Sequence, residues 1–344
     1  MAIDIVMDAG TYKTVLYSNG KIVFEEPSAV AVDSDTYEPI AFGAEAKEML
    51  GRTPDSITTV FPVERGVISD YDIAEEMIVH FIKKTFGNKV FKPRVIVIVP
   101  SGVTTVQHHS LANAVAAAGC RKISTIDTTV AAAVGLCMDI DKPRGGMVVD
   151  IGGGTTNIST MSMGGISHQE SLRIGSIDFD DDIEKYVRRE KNILIGSQTA
   201  ESIKKTIGSA IKRDFDVTIS GKGRNIFTGL PEIFKISSFE VYDAICDHLQ
   251  MICKACQTVF EKTEPDIVSD ISRDGIKLIG GGARLYGMDK MLSDYLDVSV
   301  EFIDDPRRSP LAGAEKVLKN PKILKNGEYQ FKSIQNLIVD SDSI

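Results

Sequence analysis

Two short segments of the sequence end an apolar strand in an aspartate and continue into a turn of glycine and threonine. The first runs from Ile5 to Thr11 and the second from Val148 to Thr156. Their aspartates, Asp8 and Asp150, lie about half of the 344-residue chain apart. Glycine lacks a Cβ, so consecutive backbone N–H groups can converge on an anion, and threonine hydroxyls add further donors. The pattern predicts two phosphate-binding turns, one in each of two similar half-molecules, facing a common cleft.

The two aspartates bring negatively charged oxygen atoms of the protein to the same cleft, where a cation could bind beside the phosphates. Asp8 and Asp150 would hold a hydrated Mg²⁺ and orient an attacking water, since this cation prefers oxygen ligands and keeps most of its waters. Neither turn has the G-x-x-x-x-G-K-[ST] pattern, which argues against a P-loop fold. One Asp-x-Gly turn alone is more often a plain hairpin, but its repetition favours the phosphate interpretation.

A third glycine cluster runs from Gly280 to Gly282 and continues into Ala283. It follows a predicted strand and opens a predicted helix, where backbone can approach a flat ligand closely. We therefore expect this cluster to belong to the same ligand site.

Strands alternate with helices along the chain, which indicates an α/β architecture. Strands are predicted at 3–7, 15–17, 95–99, 147–150 and 276–279. Helices are predicted at 44–50, 72–86, 105–118, 129–137, 178–190, 199–209, 238–261 and 287–296. Ser238 is the predicted N-cap of the longest helix. The chain is too long for one compact core, so two lobes are expected.

Composition and charge exclude several classes of protein. The 48 acidic and 39 basic side chains leave a net charge of −9. That charge argues against a general nucleic-acid binder, which needs a basic surface. The first eight residues lack a basic stretch, so neither a signal peptide nor an amphipathic leader is expected. The longest apolar run, at 95–99, is far shorter than the roughly 20 residues of a membrane-spanning helix.

Five cysteines are scattered through the sequence without a framework spacing. We interpret them as reduced cytoplasmic thiols. Cys253 and Cys256 form a C-x-x-C pair inside an apolar helical stretch, and core packing is the favoured interpretation over redox or metal chemistry.

These motifs resemble the actin superfamily and, within it, the MreB family of bacterial actin homologues. The resemblance rests on segments 25–31, 46–54, 66–70, 147–156, 173–175, 179–180, 208–210 and 269–271, of which the run from Asp150 to Thr156 is the most specific. It implies an actin-like ATPase fold, with two ribonuclease-H-like lobes and a nucleotide in the cleft between them. The first lobe would comprise 1–142 and 316–344 with a small subdomain at about 30–70, and the second 143–315 with one at about 181–240.

The resemblance also implies which residues bind ATP and Mg²⁺. The first phosphate loop would comprise Asp8, Gly10 and Thr11, followed by Tyr12 and Lys13. The other expected contacts are Asp150, Gly152, Gly153, Gly154 and Thr155 in the second loop, Gly175 beside it, Glu201 and Lys204 at the ribose and base, and Gly281, Gly282 and Ala283 at the adenosine. From the sequence alone, Glu201 and Lys204 also fit a solvated pair on one helix face. Lys13 stands where the family commonly has Asn, and it would either pair with a phosphate or point to solvent.

The sequence departs from the family pattern at the segment that normally activates water. The family usually has Ile-Glu-Glu-Pro there, and its second glutamate polarises the attacking water, but this chain has Thr128 followed by Thr129. A threonine hydroxyl orders water without accepting its proton, and that help is worth roughly a hundred- to ten-thousand-fold in rate. Asp127, one position earlier, would serve only if the loop moved. Slow ATP hydrolysis is therefore expected, as in divergent paralogues of wall-less helical bacteria.

The resemblance implies a filament at the inner face of the cell membrane. Val90 and Phe91, between basic residues, occupy the place of the family's hydrophobic loop and suit an anionic bilayer, although an ordinary helix-to-strand loop fits the same residues. The expected function is a cytoplasmic filament that governs cell shape, with itself, anionic membrane and other cytoskeletal proteins as partners. The alternative is a monomeric actin-fold ATPase or a kinase acting on a small molecule, and pelleting after ATP addition distinguishes the two.

Overall fold

The computed structural model describes residues 4–87, 93–120, 122–305, 308–324 and 332–333. Its strands are β1 (Asp4–Ala9), β2 (Lys13–Ser18), β3 (Lys21–Pro27), β4 (Val30–Asp33), β5 (Pro39–Phe42), β6 (Ile57–Val60), β7 (Val63–Glu64), β8 (Val67–Ile68), β9 (Arg94–Val99), β10 (Lys122–Asp127), β11 (Gly146–Ile151), β12 (Thr156–Ser162), β13 (Gly165–Leu172), β14 (Ile193–Leu194), β15 (Thr218–Asn225), β16 (Pro231–Ser237), β17 (Ile276–Ile279), β18 (Val300–Phe302) and β19 (Lys332–Ser333). Its helices are α1 (Ala44–Met49), α2 (Tyr71–Phe86), α3 (Thr105–Ala117), α4 (Thr128–Gly135), α5 (Ser176–Lys191), α6 (Ser197–Ile207), α7 (Ser238–Lys262), α8 (Pro265–Asp274), α9 (Met288–Leu296) and α10 (Arg308–Lys319).

Two mixed sheets repeat one topology. The first has the order β19-β10-β9-β1-β2-β3, and the second has the order β13-β12-β11-β17-β18. In the first sheet β1 pairs antiparallel with β2 and parallel with β9; in the second, β11 pairs antiparallel with β12 and parallel with β17. The two half-molecules expected from the repeated aspartate turns are therefore present, and each turn joins two antiparallel strands of its own sheet.

Three smaller sheets accompany the large ones in the described part of the chain, and the smallest of them pairs β7 with β8. Strands β5, β4 and β6 form a three-stranded sheet beside α1, and β14, β15 and β16 form another beside α6. The three-stranded sheets fall within about 30–70 and 181–240, the ranges that the resemblance gives for small subdomains, and the division into subdomains stays a prediction. The boundaries of the lobes themselves stay a prediction.

Helices α4 and α10 pack together in a core that takes side chains from both large sheets. That core includes Val6 and Ile96 of the first sheet and Val148 and Ile279 of the second. The helices approach closely because Gly135 and Gly313 lie at their contact: a Cβ on either would collide with backbone of the other helix.

Substitution of Gly313 by Ala should lower the free energy of unfolding by about 1–3 kcal/mol, because the added methyl group overpacks this helix contact. Thermal unfolding of the nucleotide-free protein measures the effect. Gly281 is the matched control, since a Cβ there meets open space and its φ of −67° suits any residue. Equal stability of Gly313→Ala and wild type would contradict the packing argument.

Two helices and one helix start differ from the sequence expectation. The sequence did not predict α8 and α10. The long helix α7 is capped by Ser237 and not by Ser238: Ser237 Oγ accepts from Glu240 N at 3.3 Å, and Glu240 Oε2 accepts from Ser237 N at 2.8 Å. The predicted cap was wrong by one residue because this reciprocal pair needs a glutamate three positions after the serine, which Ser237 has and Ser238 lacks.

Cys253 and Cys256 lie in the core of the second half, as expected. Burial raises the pKa of Cys253 to about 11 and that of Cys256 further still, so both thiols stay protonated and unreactive at neutral pH. In the described parts of the chain, no helix is long and apolar enough to span a bilayer.

Candidate functional site

Both aspartate turns line one cavity of about 620 Å³. A cavity of this size fits a small-molecule ligand such as a nucleotide. The predicted site residues on its wall are Asp8, Gly10, Thr11, Tyr12, Lys13, Thr128, Asp150, Gly152, Gly153, Gly154, Thr155, Glu201, Lys204, Gly281 and Gly282. The structure does not place Asp127, Gly175 or Ala283 on that wall, and Val90 and Phe91 lie outside the described residues.

The two turns have the same geometry. Gly10 N donates to Lys13 O at 3.0 Å in the first, and Gly152 N donates to Thr155 O at 2.8 Å in the second. Each turn is thus both a hairpin and part of the cavity wall, and phosphate binding by the turns stays a prediction.

Glycines let the two turns touch. A Cβ on Gly154 would lie 2.7 Å from Thr11 Oγ1, and a Cβ on Gly153 would press against Tyr12. Gly175 packs against the backbone of Gly153 and Gly154 and so supports the second turn. A side chain at Gly153 or Gly154 would push the two turns apart.

Asp8 and Asp150 both line the cavity and are close enough for their negative charges to repel each other. Burial and the negative charge of Asp8 raise the pKa of Asp150 to about 7, although a hydrogen bond from Asn157 opposes the rise. A bound cation would relieve this repulsion. No group of three or more His, Cys, Asp or Glu among the described residues is arranged to hold a metal ion by itself. The two carboxylates of Asp8 and Asp150 fit Mg²⁺, which takes one or two carboxylates and completes its shell with water and phosphate.

The structure separates Thr128 from Asp127. Thr128 lines the cavity, and its Oγ1 donates to Val99 O at 2.9 Å. Asp127 caps α4 instead: its Oδ1 accepts from Thr129 N at 2.9 Å, Thr129 Oγ1 at 2.7 Å and Ser101 Oγ at 3.0 Å. Burial raises the pKa of Asp127 despite these hydrogen bonds. Its carboxylate is therefore a structural group, and Thr128 is the member of the segment that faces a ligand.

Glu201 and Lys204 do not form a solvated pair with each other, so that interpretation is wrong. Lys204 is buried and donates to Asp180 Oδ2 at 2.7 Å. Glu201 accepts from Tyr12 Oη at 2.8 Å and pairs with Lys205 at 2.5 Å. Burial acts against ionisation of Glu201, but the hydrogen bonds from Lys205 and Tyr12 outweigh it and lower its pKa. Both residues are held in place by long-range partners and not by solvent.

Lys13 matches neither expectation fully. Its Nζ lies 2.7 Å from Glu25 Oε1 on the adjacent strand β3, while the residue itself lines the cavity. The carboxylate neutralises an ammonium that would otherwise be free to meet a phosphate.

Other cavity residues were missed from the sequence. Asp180 accepts a hydrogen bond from Lys204 Nζ. Burial raises the pKa of Asp180 to about 6, although the positive charge of Lys204 acts to lower it. Arg213 stacks on Tyr286, with 4.4 Å between the guanidinium carbon and the ring centroid, and its Nη2 donates to Gly208 O at 3.1 Å. Segments 179–180 and 208–210 carry the resemblance, but their part in the cavity was not predicted, because their partners come from separate segments that only the fold brings together.

Two matching sheets that each present an aspartate turn to a shared cleft define the actin-like class of nucleotide-binding folds. The solved double helical filament of MamK has the same fold, with a TM-score of 0.76, 19% identity and coverage of 93% of this chain and 99% of that one.

The family model for MreB/Mbl protein matches residues 2–326. The cell shape-determining protein MreB of Escherichia coli K12 is 39% identical, over 92% of this chain and 93% of its own, and Mbl of Bacillus subtilis is 37% identical, over 92% and 96%. MreB5 of Spiroplasma citri bound to AMPPNP superposes with a TM-score of 0.88 at 33% identity, covering 94% of this chain and 98% of its own. The chain belongs to the MreB/Mbl family.

Proposed function

We propose that this protein binds ATP with Mg²⁺, assembles into filaments and helps to determine cell shape. The observation that carries the proposal is the pair of aspartate turns that meet in one cavity. The names of its relatives support the shape function, and the solved MreB5 structures with AMPPNP and ADP support a nucleotide in this cleft.

Different residues of the cavity would bind different parts of the nucleotide. Backbone N–H groups of the two turns and the hydroxyls of Thr11 and Thr155 would receive the phosphates. Asp8 and Asp150 would hold Mg²⁺, which supplies positive charge to the phosphate oxygens when it is bound. Glu201 and Lys204 would lie at the ribose and base, and the backbone of Gly281 and Gly282 at the adenosine.

Hydrolysis by this protein should be slow. Thr128 faces the cavity, but its hydroxyl proton is given to Val99 O and it has no basic atom to accept a proton from water. Asp127, which directly precedes Thr128 in the sequence, uses its carboxylate to cap helix α4. Bound ATP would therefore stay unhydrolysed for long periods, so that filament assembly would depend on ATP binding more than on hydrolysis.

Addition of Mg²⁺ and ATP should transfer most of the protein into the pellet at high-speed centrifugation, whereas EDTA with ATP should not. Electron microscopy of the pellet distinguishes filaments from aggregates. If the protein binds ATP but stays monomeric at every concentration tested, the alternative of a monomeric ATPase or small-molecule kinase replaces the filament.

We also propose that the filament lies at the cytoplasmic face of the cell membrane and contacts it through Val90 and Phe91. Replacement of both by Ser should reduce co-sedimentation with anionic liposomes at least about threefold, while nucleotide binding is kept, because apolar side chains flanked by cations insert into anionic bilayers.

Ile226 and Phe227 form the matched control, since they are another adjacent aliphatic and aromatic pair, 40% and 77% exposed. Their double Ser variant should bind liposomes as the wild type does. Equal losses in both double variants, or a wild type that does not bind liposomes while assembled, would contradict the assignment of Val90 and Phe91 to the membrane.

A further inference from the structure

Tyr12 connects three separate parts of the molecule. Its hydroxyl donates to Glu201 Oε1 at 2.8 Å and accepts from Lys47 Nζ at 2.8 Å. Tyr12 belongs to the turn between β1 and β2, Lys47 to α1 and Glu201 to α6. One oxygen atom thus joins three elements: a turn of the first large sheet, helix α1 beside the β5-β4-β6 sheet, and helix α6 beside the β14-β15-β16 sheet.

The partner on α1 is held tightly to the tyrosine. Lys47 Nζ lies 4.1 Å from the centroid of the Tyr12 ring, so its ammonium contacts the ring face as well as the hydroxyl. Burial lowers the pKa of Lys47, and the negative charge of Glu201 opposes that effect. A cation over an aromatic face and a charge-assisted hydrogen bond reinforce each other where water is partly excluded.

The partner on α6 belongs to the opposite wall of the cavity. Glu201, Lys204 and Lys205 all line the cavity, and α6 packs through Ala200 and Ile203 into the core of the second half. Lys205 also pairs with Glu201, but that pair lies within one helix. Of these contacts to Glu201, the hydrogen bond from Tyr12 is the one that joins the two walls.

A second link between the two halves lies further along the cleft. Arg65 Nη2 lies 3.0 Å from Asp178 Oδ1 on α5, and the neighbouring Gly66 N donates to Thr11 Oγ1 at 3.1 Å. This link uses different atoms from the Tyr12 chain of contacts. The halves are also joined by Ser101 N, which donates to Asn157 Oδ1 at 3.1 Å, so a change at Tyr12 leaves other links intact.

We propose that Tyr12 is a positioning residue that orients the Glu201 carboxylate and closes the cleft, so that its hydroxyl sets the rate at which nucleotide leaves. The inference rests on the proposed function, in that the cavity must bind nucleotide. A ligand can leave only when the walls separate, and separation breaks the hydrogen bond from Tyr12 to Glu201, which Lys47 supports from the Tyr12 side. The loss of one charge-assisted hydrogen bond corresponds to about a tenfold change in rate.

The test is the dissociation rate of mant-ATP with Mg²⁺, measured by displacement with excess ATP in a stopped-flow instrument. Tyr12→Phe should release the probe about tenfold faster than wild type, because it removes one oxygen and keeps the ring. Tyr37→Phe is the matched control: Tyr37 Oη donates to Asp70 Oδ2 at 2.8 Å, and the residue is not on the cavity wall. It should release the probe at the wild-type rate.

A double-mutant cycle separates positioning from general weakening. Lys47→Met should also speed release, and combining it with Tyr12→Phe should add little, since both act through one chain of contacts. Thermal unfolding of each variant should stay near that of wild type. Wild-type release from Tyr12→Phe, or effects that multiply in the double variant, would overturn the inference with nucleotide binding intact. A wild type that does not bind mant-ATP would overturn the proposed function and this inference with it.

Discussion

Asn in place of Asp150 should weaken Mg²⁺-dependent ATP binding and at the same time stabilise the nucleotide-free protein. Loss of the carboxylate removes a charged partner of the cation, which costs about 3 kcal/mol, or roughly a hundredfold in Kd. The same change removes a charge that burial and Asp8 make unfavourable in the folded state. Titration with mant-ATP with and without Mg²⁺ measures the first effect, and thermal unfolding measures the second.

The stabilising effect should depend on pH in a defined direction. The pKa of Asp150 is about 7 in the folded protein, above its ordinary value of 3.8. The unfolded chain therefore releases this proton at lower pH than the folded protein does, and wild type loses stability as the pH rises from about 4 to about 7. The Asn variant has no such loss, so its advantage should be small at pH 4.5 and reach at most about 4 kcal/mol at pH 8, since one pKa unit corresponds to about 1.4 kcal/mol.

Asp141, an exposed aspartate, is the control for the loss of a carboxylate. Asp141→Asn should change neither ATP binding nor the pH dependence of unfolding. An Asp150→Asn variant that keeps Mg²⁺-dependent binding would contradict the site, and equal stability of Asp150→Asn and wild type at pH 4.5 and 8 would contradict the electrostatic argument. The two results are independent, so the carboxylate can be tested as a ligand and as a strained charge separately.

Glu in place of Thr128 should raise steady-state phosphate release by at least about tenfold, which corresponds to 1.4 kcal/mol of barrier. Thr128 already faces the cavity that Asp8 and Asp150 line, so a carboxylate there would add the proton acceptor that the hydroxyl cannot provide. The measurement is phosphate release at saturating ATP and Mg²⁺.

Thr128→Gln is the matched control, because it has the size and polarity of Glu without a basic carboxylate. It should not exceed the wild-type rate. Rapid hydrolysis by wild type would show that another group activates water. A slow wild type that Thr128→Glu fails to accelerate would place the defect elsewhere, with Thr129 and Lys13 as the next residues to change.

Local patterns in the sequence determined the parts of the site that depend on backbone alone. An apolar strand, an aspartate and a glycine turn are enough to specify a hairpin, and the two hairpins at Asp8 and Asp150 have the expected form. The buried strand at 95–99 was equally clear, because a run of β-branched residues suits a strand covered on both faces. The repetition of one motif at half-chain spacing then implied two similar halves and a cleft between them.

Tertiary structure alone decided the partners of the charged residues. Glu201 depends on Tyr12, Lys204 on Asp180 and Lys13 on Glu25, and only the fold brings these side chains within hydrogen-bond distance. Helix α10 was missed for the same reason: Pro310 and Gly313 weaken its local helix signal, and its packing against α4 compensates. Helix propensity and turn geometry act over a few neighbouring residues, whereas ion pairs and close helix contacts form between distant ones. The sequence thus indicated the two aspartate turns and their common cleft, while the orientation of Glu201 and the use of Asp127 as a helix cap followed from the folded arrangement.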